Sequence, residues 1–115
     1  MYQFSYADIL ADDADDARAR ERQAFDQAVA LLRHAAEGRR GAPDENRALT
    51  FTTELWATLI TDLAHPGNAL PDELRASLMS IGLGVIAECE RITRGESRDL
   101  AGLAEICGII RDGLN

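Results

Sequence analysis

Two histidines, two cysteines and 20 carboxylates are the groups in this 115-residue sequence that could carry chemistry. A zinc site needs Cys and His clustered in pairs a few residues apart. His34, His65, Cys89 and Cys107 instead stand alone, on four separate stretches. A di-iron bundle needs Glu-x-x-His on facing helices, and neither histidine follows a Glu at that spacing. Asp12-Asp13-Ala14-Asp15-Asp16 has the acid density of a calcium loop but lacks its Gly at the sixth position and Glu at the twelfth. Nucleophilic catalysis needs a base held beside Ser or Cys. His65 precedes Pro66 in a turn, and Asp62 three residues earlier reads as a solvated surface residue. No acid sits in an apolar surround that would raise its pKa for general acid work. The expectation is a non-enzyme with no catalytic residue, no metal and no cofactor.

The net charge of −8, with every one of the 12 bases an arginine, opposes direct nucleic-acid binding, because phosphate neutralisation supplies most of that affinity. Arg39-Arg40 is the densest basic pair and reads as solvated linker. The start, MYQFSYADIL, has neither the basic region nor the apolar run of a secretory signal. No stretch approaches the ~20 apolar residues of a membrane span. Both cysteines lie within apolar helical patterns, where Cys acts as a small hydrophobe. A reduced, cytoplasmic protein of one domain (1–115) is expected.

Aromatics make up only 5% of the chain, alanine is abundant and β-branched clusters are scarce. This favours an all-α fold with an aliphatic core. Tyr2, Phe4 and Tyr6 alternate and read as an aromatic N-terminal arm. A first helix is predicted from about Asp12, where the acids suit the dipole, to Glu37. Phe25, Ala28, Val29 and Leu32 lie along one side, with Glu21 the polar member of the row, and Gly38 is the predicted C′ residue. A second helix runs from Pro43 or Asp44 to Ala64 on a stripe of Leu49, Thr52, Trp56, Leu59 and Leu63. His65-Pro66-Gly67-Asn68 is a turn, with Gly67 at a position that takes positive φ.

A third helix, about Pro71 to Arg94, carries Leu74, Leu78, Ile81, Val85, Cys89 and Ile92 on one stripe. Met79, Leu83 and Ile86 lie elsewhere on it, so it is apolar nearly all round and predicted to be central. Gly82 and Gly84 each cost about 1 kcal/mol there against Ala and point to close helix approach. Ser97 is the predicted N-cap of a fourth helix, about Arg98 to Asp112. It turns Leu100, Leu103, Ile106/Cys107 and Ile110 inward, with Leu114 folding back. Short connections favour a mainly antiparallel bundle of four helices.

Helices two and three carry more apolar surface than a small bundle needs, and such surplus marks a protein-interaction site. Phe51, Leu55, Met79, Leu83 and Ile86 lie off the main core stripes and are the candidate partner contacts, in a groove between these two helices.

The run Leu55-Trp56-x2-Leu59-x2-Asp62-Leu63-Ala64-x-Pro66-Gly67-Asn68-x-Leu70-Pro71-x2-Leu74-Arg75-Ala76 resembles the FlaF family, flagellar biosynthesis regulators of α-proteobacteria. The resemblance extends over most of the chain. It takes in the aromatic start, the Ala48-Leu49 pair upstream of Leu55-Trp56, and the C-terminal Arg94-Gly95-Glu96, Leu100, Leu103 and Gly113-Leu114. It implies a cytoplasmic non-enzyme needed for flagellin production and filament assembly. Such a protein would act on flagellin as a secretion chaperone, alongside FlbT, the regulator of flagellin translation. An alternative that the resemblance also implies is post-transcriptional control of flagellin mRNA through a partner such as FlbT.

Overall fold

The computed structural model describes the backbone of residues 6–114 and the side chains of residues 16–114. Four helices follow in order: α1 (Tyr6–Glu37), α2 (Pro43–Ala64), α3 (Asp72–Thr93) and α4 (Leu100–Gly113). The all-α bundle predicted from composition and periodicity is the observed fold. Tyr2 and Phe4 of the predicted arm lie outside the described residues, and Tyr6 is the first residue of α1.

α1 begins earlier than the acidic cluster suggested. Ala7, Leu10, Ala11 and Ala14 favour helix strongly enough that Asp12–Asp16 fall inside it. Its C-terminus also departs from expectation. Gly38 is not left-handed; the positive φ of that loop belongs to Gly41, at 76°. A helix end leaves carbonyls without partners. Here Arg98 reaches back from the α3–α4 connection and donates through Nη2 to the carbonyls of Ala35 and Gly38. A long-range arginine replaces the glycine cap.

Similar local reasons move the other ends. Asp99, not Ser97, caps α4: its Oδ1 accepts from the Gly102 N–H at 3.0 Å. Ser97 serves the turn before it, with Oγ accepting from the Asp99 N–H at 3.2 Å. Gly67 does not take positive φ. What stands close to Gly67 is His65, whose Nδ1 accepts the Gly67 N–H at 3.0 Å and would lie 3.2 Å from an added Cβ.

α1 and α2 form the middle of the bundle, α4 packs on α1, and α3 packs on α2. The predicted central place of α3 is therefore corrected: its buried residues, Gly82, Val85, Cys89 and Ile92, make a single narrow stripe. Being apolar on several faces did not mean being covered on them. Phe25 and Trp56 meet edge to face at the α1–α2 seam, ring centroids 5.4 Å apart. Val29, Leu32, Leu49, Val85, Cys89, Ile92, Leu100, Leu103 and Cys107 are among the core residues around them. Ile106, predicted inward, is exposed, and Cys107 beside it takes the buried position. Leu114 does fold back onto the core, and its carbonyl accepts from Arg22 Nη1 at 2.8 Å.

Candidate partner-binding surface

The α2–α3 connection is held by its own side chains. Asn68 Nδ2 donates to the Asp62 carbonyl at 3.2 Å, and Asn68 Oδ1 accepts from the Leu70 N–H at 3.0 Å. Arg75 bonds Asp72 one turn away and reaches the Leu63 carbonyl at 3.4 Å. This fixes the start of α3 against the end of α2. Between the two helices Gly82 removes the side chain that would obstruct contact: a Cβ there would stand 2.7 Å from Trp56 Cε3 and 2.9 Å from Ile60 Cδ1. Gly84 has no neighbour within 4 Å and serves no such approach.

Large aliphatic side chains remain in solvent along α3: Leu74 is 45% exposed, Ile81 40% and Leu83 59%, with Leu70 in the turn before them. The ends of α2 and α3 that meet at the connection carry acids. Asp62, Asp72 and Glu73 are all exposed. Glu21 on α1 has its carboxyl pushed above the ordinary value, first by partial desolvation and then by the charge of Asp62. Exposed aliphatic surface of this kind can hold another chain.

The sequence-predicted contacts divide between two flanks of α2. Met79 and Ile86 are half-buried and Leu83 is exposed, all on α3. Phe51 and Leu55 are half-buried against the core. Thr53 and Ile60 mark the side of α2 that faces α3, through Cys89 and Gly82 respectively. At about 100° per residue, Phe51 and Leu55 lie about 160° around α2 from Thr53. The structure thus groups Met79, Leu83 and Ile86 and sets Phe51 and Leu55 apart from them. Sequence reasoning assigned Leu74 and Ile81 to the core; their spacing is a core spacing, and only the missing cover reveals them.

A family model described as Flagellar protein FlaF matches residues 2–114. The chain belongs to this family. No curated protein and no solved structure matches it. Several residues of the run from Leu55 to Ala76 are structural, whereas Leu70 and Leu74 within it are exposed. Trp56 is fully buried, Leu63 is buried, and Gly67, Asn68 and Arg75 make the turn contacts described above.

The groups with chemical potential are likewise engaged in structure. Burial raises the thiols of Cys89 and Cys107, opposed by Thr53 at the first and by the Trp56 indole at the second. In both, burial works against forming the thiolate. His34 Nε2 meets Asp44 Oδ2 at 3.2 Å on the surface. Among the described residues no three His, Cys, Asp or Glu side chains gather as a metal-holding group, and no helix is long and apolar enough to cross a membrane. Glu45 is the one buried carboxylate in this set; it accepts from the Gly41 N–H and lies 3.5 Å from Arg98 Nε. Its work is to close the α1–α2 loop over the α3–α4 connection.

Proposed function

We propose that this FlaF-family protein binds flagellin in the cytoplasm before export, and that it acts as a chaperone and regulator of flagellin production, secretion and filament assembly. The observation that carries the reading is the aliphatic face of α3 formed by solvent-exposed Leu83 with half-buried Met79 and Ile86. Contiguous apolar surface of this kind suits an amphipathic helix from a partner. Flagellin's terminal helices are amphipathic and unpaired before they polymerise. Met79, Leu83 and Ile86 are the proposed contacts among the residues singled out by sequence, with Phe51 and Leu55 as supports from the other flank of α2.

Co-purification with full-length and terminally truncated flagellin tests this. Capture of the full-length protein, lost on removal of a terminal helix, is the expected result. Failure to capture full-length flagellin would sink the proposal. Control of flagellin mRNA through a partner such as FlbT is the second route by which the protein could regulate flagellin. A gel shift with flagellin leader RNA, with and without that partner, separates the two. The net charge of −8 predicts no shift by this protein alone.

A further inference from the structure

α4 carries two rows of apolar residues. The inner row, Leu100, Leu103, Ala104, Cys107 and Gly108, is buried in the bundle. The outer row is Gly102, Ile106, Ile109 and Gly113, at intervals of four, three and four residues. At about 100° per residue these four fall within roughly 60° of one another, centred about 150° round the helix from Leu100. Ile106 is 37% exposed and Ile109 64%, the highest value for a large hydrophobic side chain among the described residues. A helix that needs one apolar stripe to hold its place on α1 therefore has a second one facing solvent.

The N-terminal residues do not reach this row. Arg111 bonds Asp26 at 2.9 Å, which sets the second half of α4 level with Asp26 on α1. Residue 15 lies about 16 Å further along the α1 axis and Tyr6 about 30 Å. Five residues before Tyr6 span at most about 18 Å. The surface beside the row, along the α1–α4 seam, carries Arg33 and Arg111 against Glu37, Glu105 and Asp112. It is close to neutral on a chain whose net charge is −8.

We propose that the outer row of α4 pairs with the same row of a second copy, antiparallel, in an isologous dimer. Such an interface requires that each residue and its contact exchange places under the two-fold axis. The row meets this requirement because Gly-Ile-Ile-Gly at four, three and four reads the same in both directions. An axis between positions 107 and 108 sets Ile106 against Ile109 of the second copy, and Gly102 against its Gly113. The glycines leave the ends of the row free of side chains, so the two helix backbones can approach while the four isoleucines interdigitate. Antiparallel pairing opposes the two helix dipoles, which parallel pairing would align. The near-neutral flank spares this surface the repulsion that the net charge imposes elsewhere, and offers no excess of one sign for a strongly charged partner to read. α4 is 14 residues, about 21 Å, long. One helix from each copy makes an interface of the small class, under about 1,200 Å² in total, so the dimer forms and dissociates reversibly with concentration. The proposal stands apart from the flagellin reading, which uses α3.

Sedimentation equilibrium of the full chain, from low to high micromolar concentration, gives the first test. The wild type should show a reversible monomer–dimer equilibrium. Ile109→Arg and Ile106→Arg should each weaken it at least tenfold while keeping the helical circular dichroism, and Leu74→Ser on α3 should leave it unchanged. The register is tested by mild oxidation of two single variants, Ile106→Cys and Ile109→Cys, separately and mixed in equal amounts; the native Cys89 and Cys107 are buried and do not compete. The mixture should form a disulfide-linked dimer between the two variants faster than either variant links to itself. A wild type that stays monomeric throughout overturns the proposal, as does a dimer indifferent to Ile109→Arg. Faster linkage within each variant than between them also overturns it, because that outcome belongs to parallel pairing. Should an arginine variant lose its helical signal, the oxidation experiment decides by itself.

Discussion

Gly82 lies beneath Trp56: a Cβ at position 82 would stand 2.7 Å from the indole Cε3, inside any normal contact distance. Both groups belong to helix interiors, so the atom has no room to relax without moving α2 and α3 apart. Gly82→Ala is predicted to destabilise the fold by about 1–3 kcal/mol through overpacking. Gly84→Ala, facing open space, should instead stabilise it by up to about 1 kcal/mol through helix propensity. Urea unfolding of the two variants checks this, and equal effects would contradict the packing described.

Glu45 and Arg98 bind the two loops at one end of the bundle, with the carboxylate buried and the Arg98 side chain 30% exposed. Glu45→Ala leaves the Gly41 N–H without its acceptor and Arg98 Nε without its ion-pair partner, while Arg98 Nη2 keeps the Ala35 and Gly38 carbonyls. A loss of at least about 2 kcal/mol is expected, below the roughly 3–5 kcal/mol of a fully buried pair because Arg98 retains some solvent. The exposed Arg94–Glu96 pair provides the contrast: Glu96→Ala should leave the unfolding midpoint unchanged. An equal loss from both substitutions would show that burial does not separate them.

The Glu21 carboxyl is raised in the folded protein by desolvation and by Asp62, so ionising it works against folding. Above the folded pKa that penalty is fully present; as pH falls through the folded value and then the unfolded one, it is relieved. Glu21→Gln should therefore raise Tm at neutral pH, with the gain fading by about pH 3.5, where the carboxyl is protonated in both states. A gain that is the same at both pH values would assign it to something other than charge.

Leu83 and Ile86 are three residues apart and differ in cover: the first is 59% exposed, the second packs partly against the core. Leu83→Asp should leave stability close to wild type, whereas Ile86→Asp should cost about 1–3 kcal/mol by placing a charge at a partly buried site. Thermal melts of the single variants report this directly. Comparable melting of both would mean that Leu83 is also structural.

The sequence allowed the helices to be read because their signals are local. Pro43 and Ala64 bound α2 as the proline and the His65–Asn68 turn predicted, and Trp56 sits at the core position its stripe required. The arrangement of α3 was not readable in this way. Periodicity reports which faces of a helix are apolar, and says nothing of how many neighbours arrive to cover them; Leu74 and Val85 are indistinguishable by pattern. Gly38 was misjudged for a related reason. The group that satisfies the α1 carbonyls is Arg98, 60 residues away in sequence, and no local signal announces it. The candidate contacts split because Phe51 and Leu55 share apolar character with Met79 and Leu83 while pointing from a different side of α2.

Trp56 is the chain's single tryptophan, wholly enclosed, and it touches Phe25 of α1 and the Gly82 backbone of α3 while its indole faces Cys107 of α4. One chromophore thus samples all four helices at once. Its emission is a built-in optical gauge of bundle integrity, needing no label. A ligand seated among the exposed side chains of α3 would leave that emission undisturbed, whereas any event that separates the helices would shift it to the red.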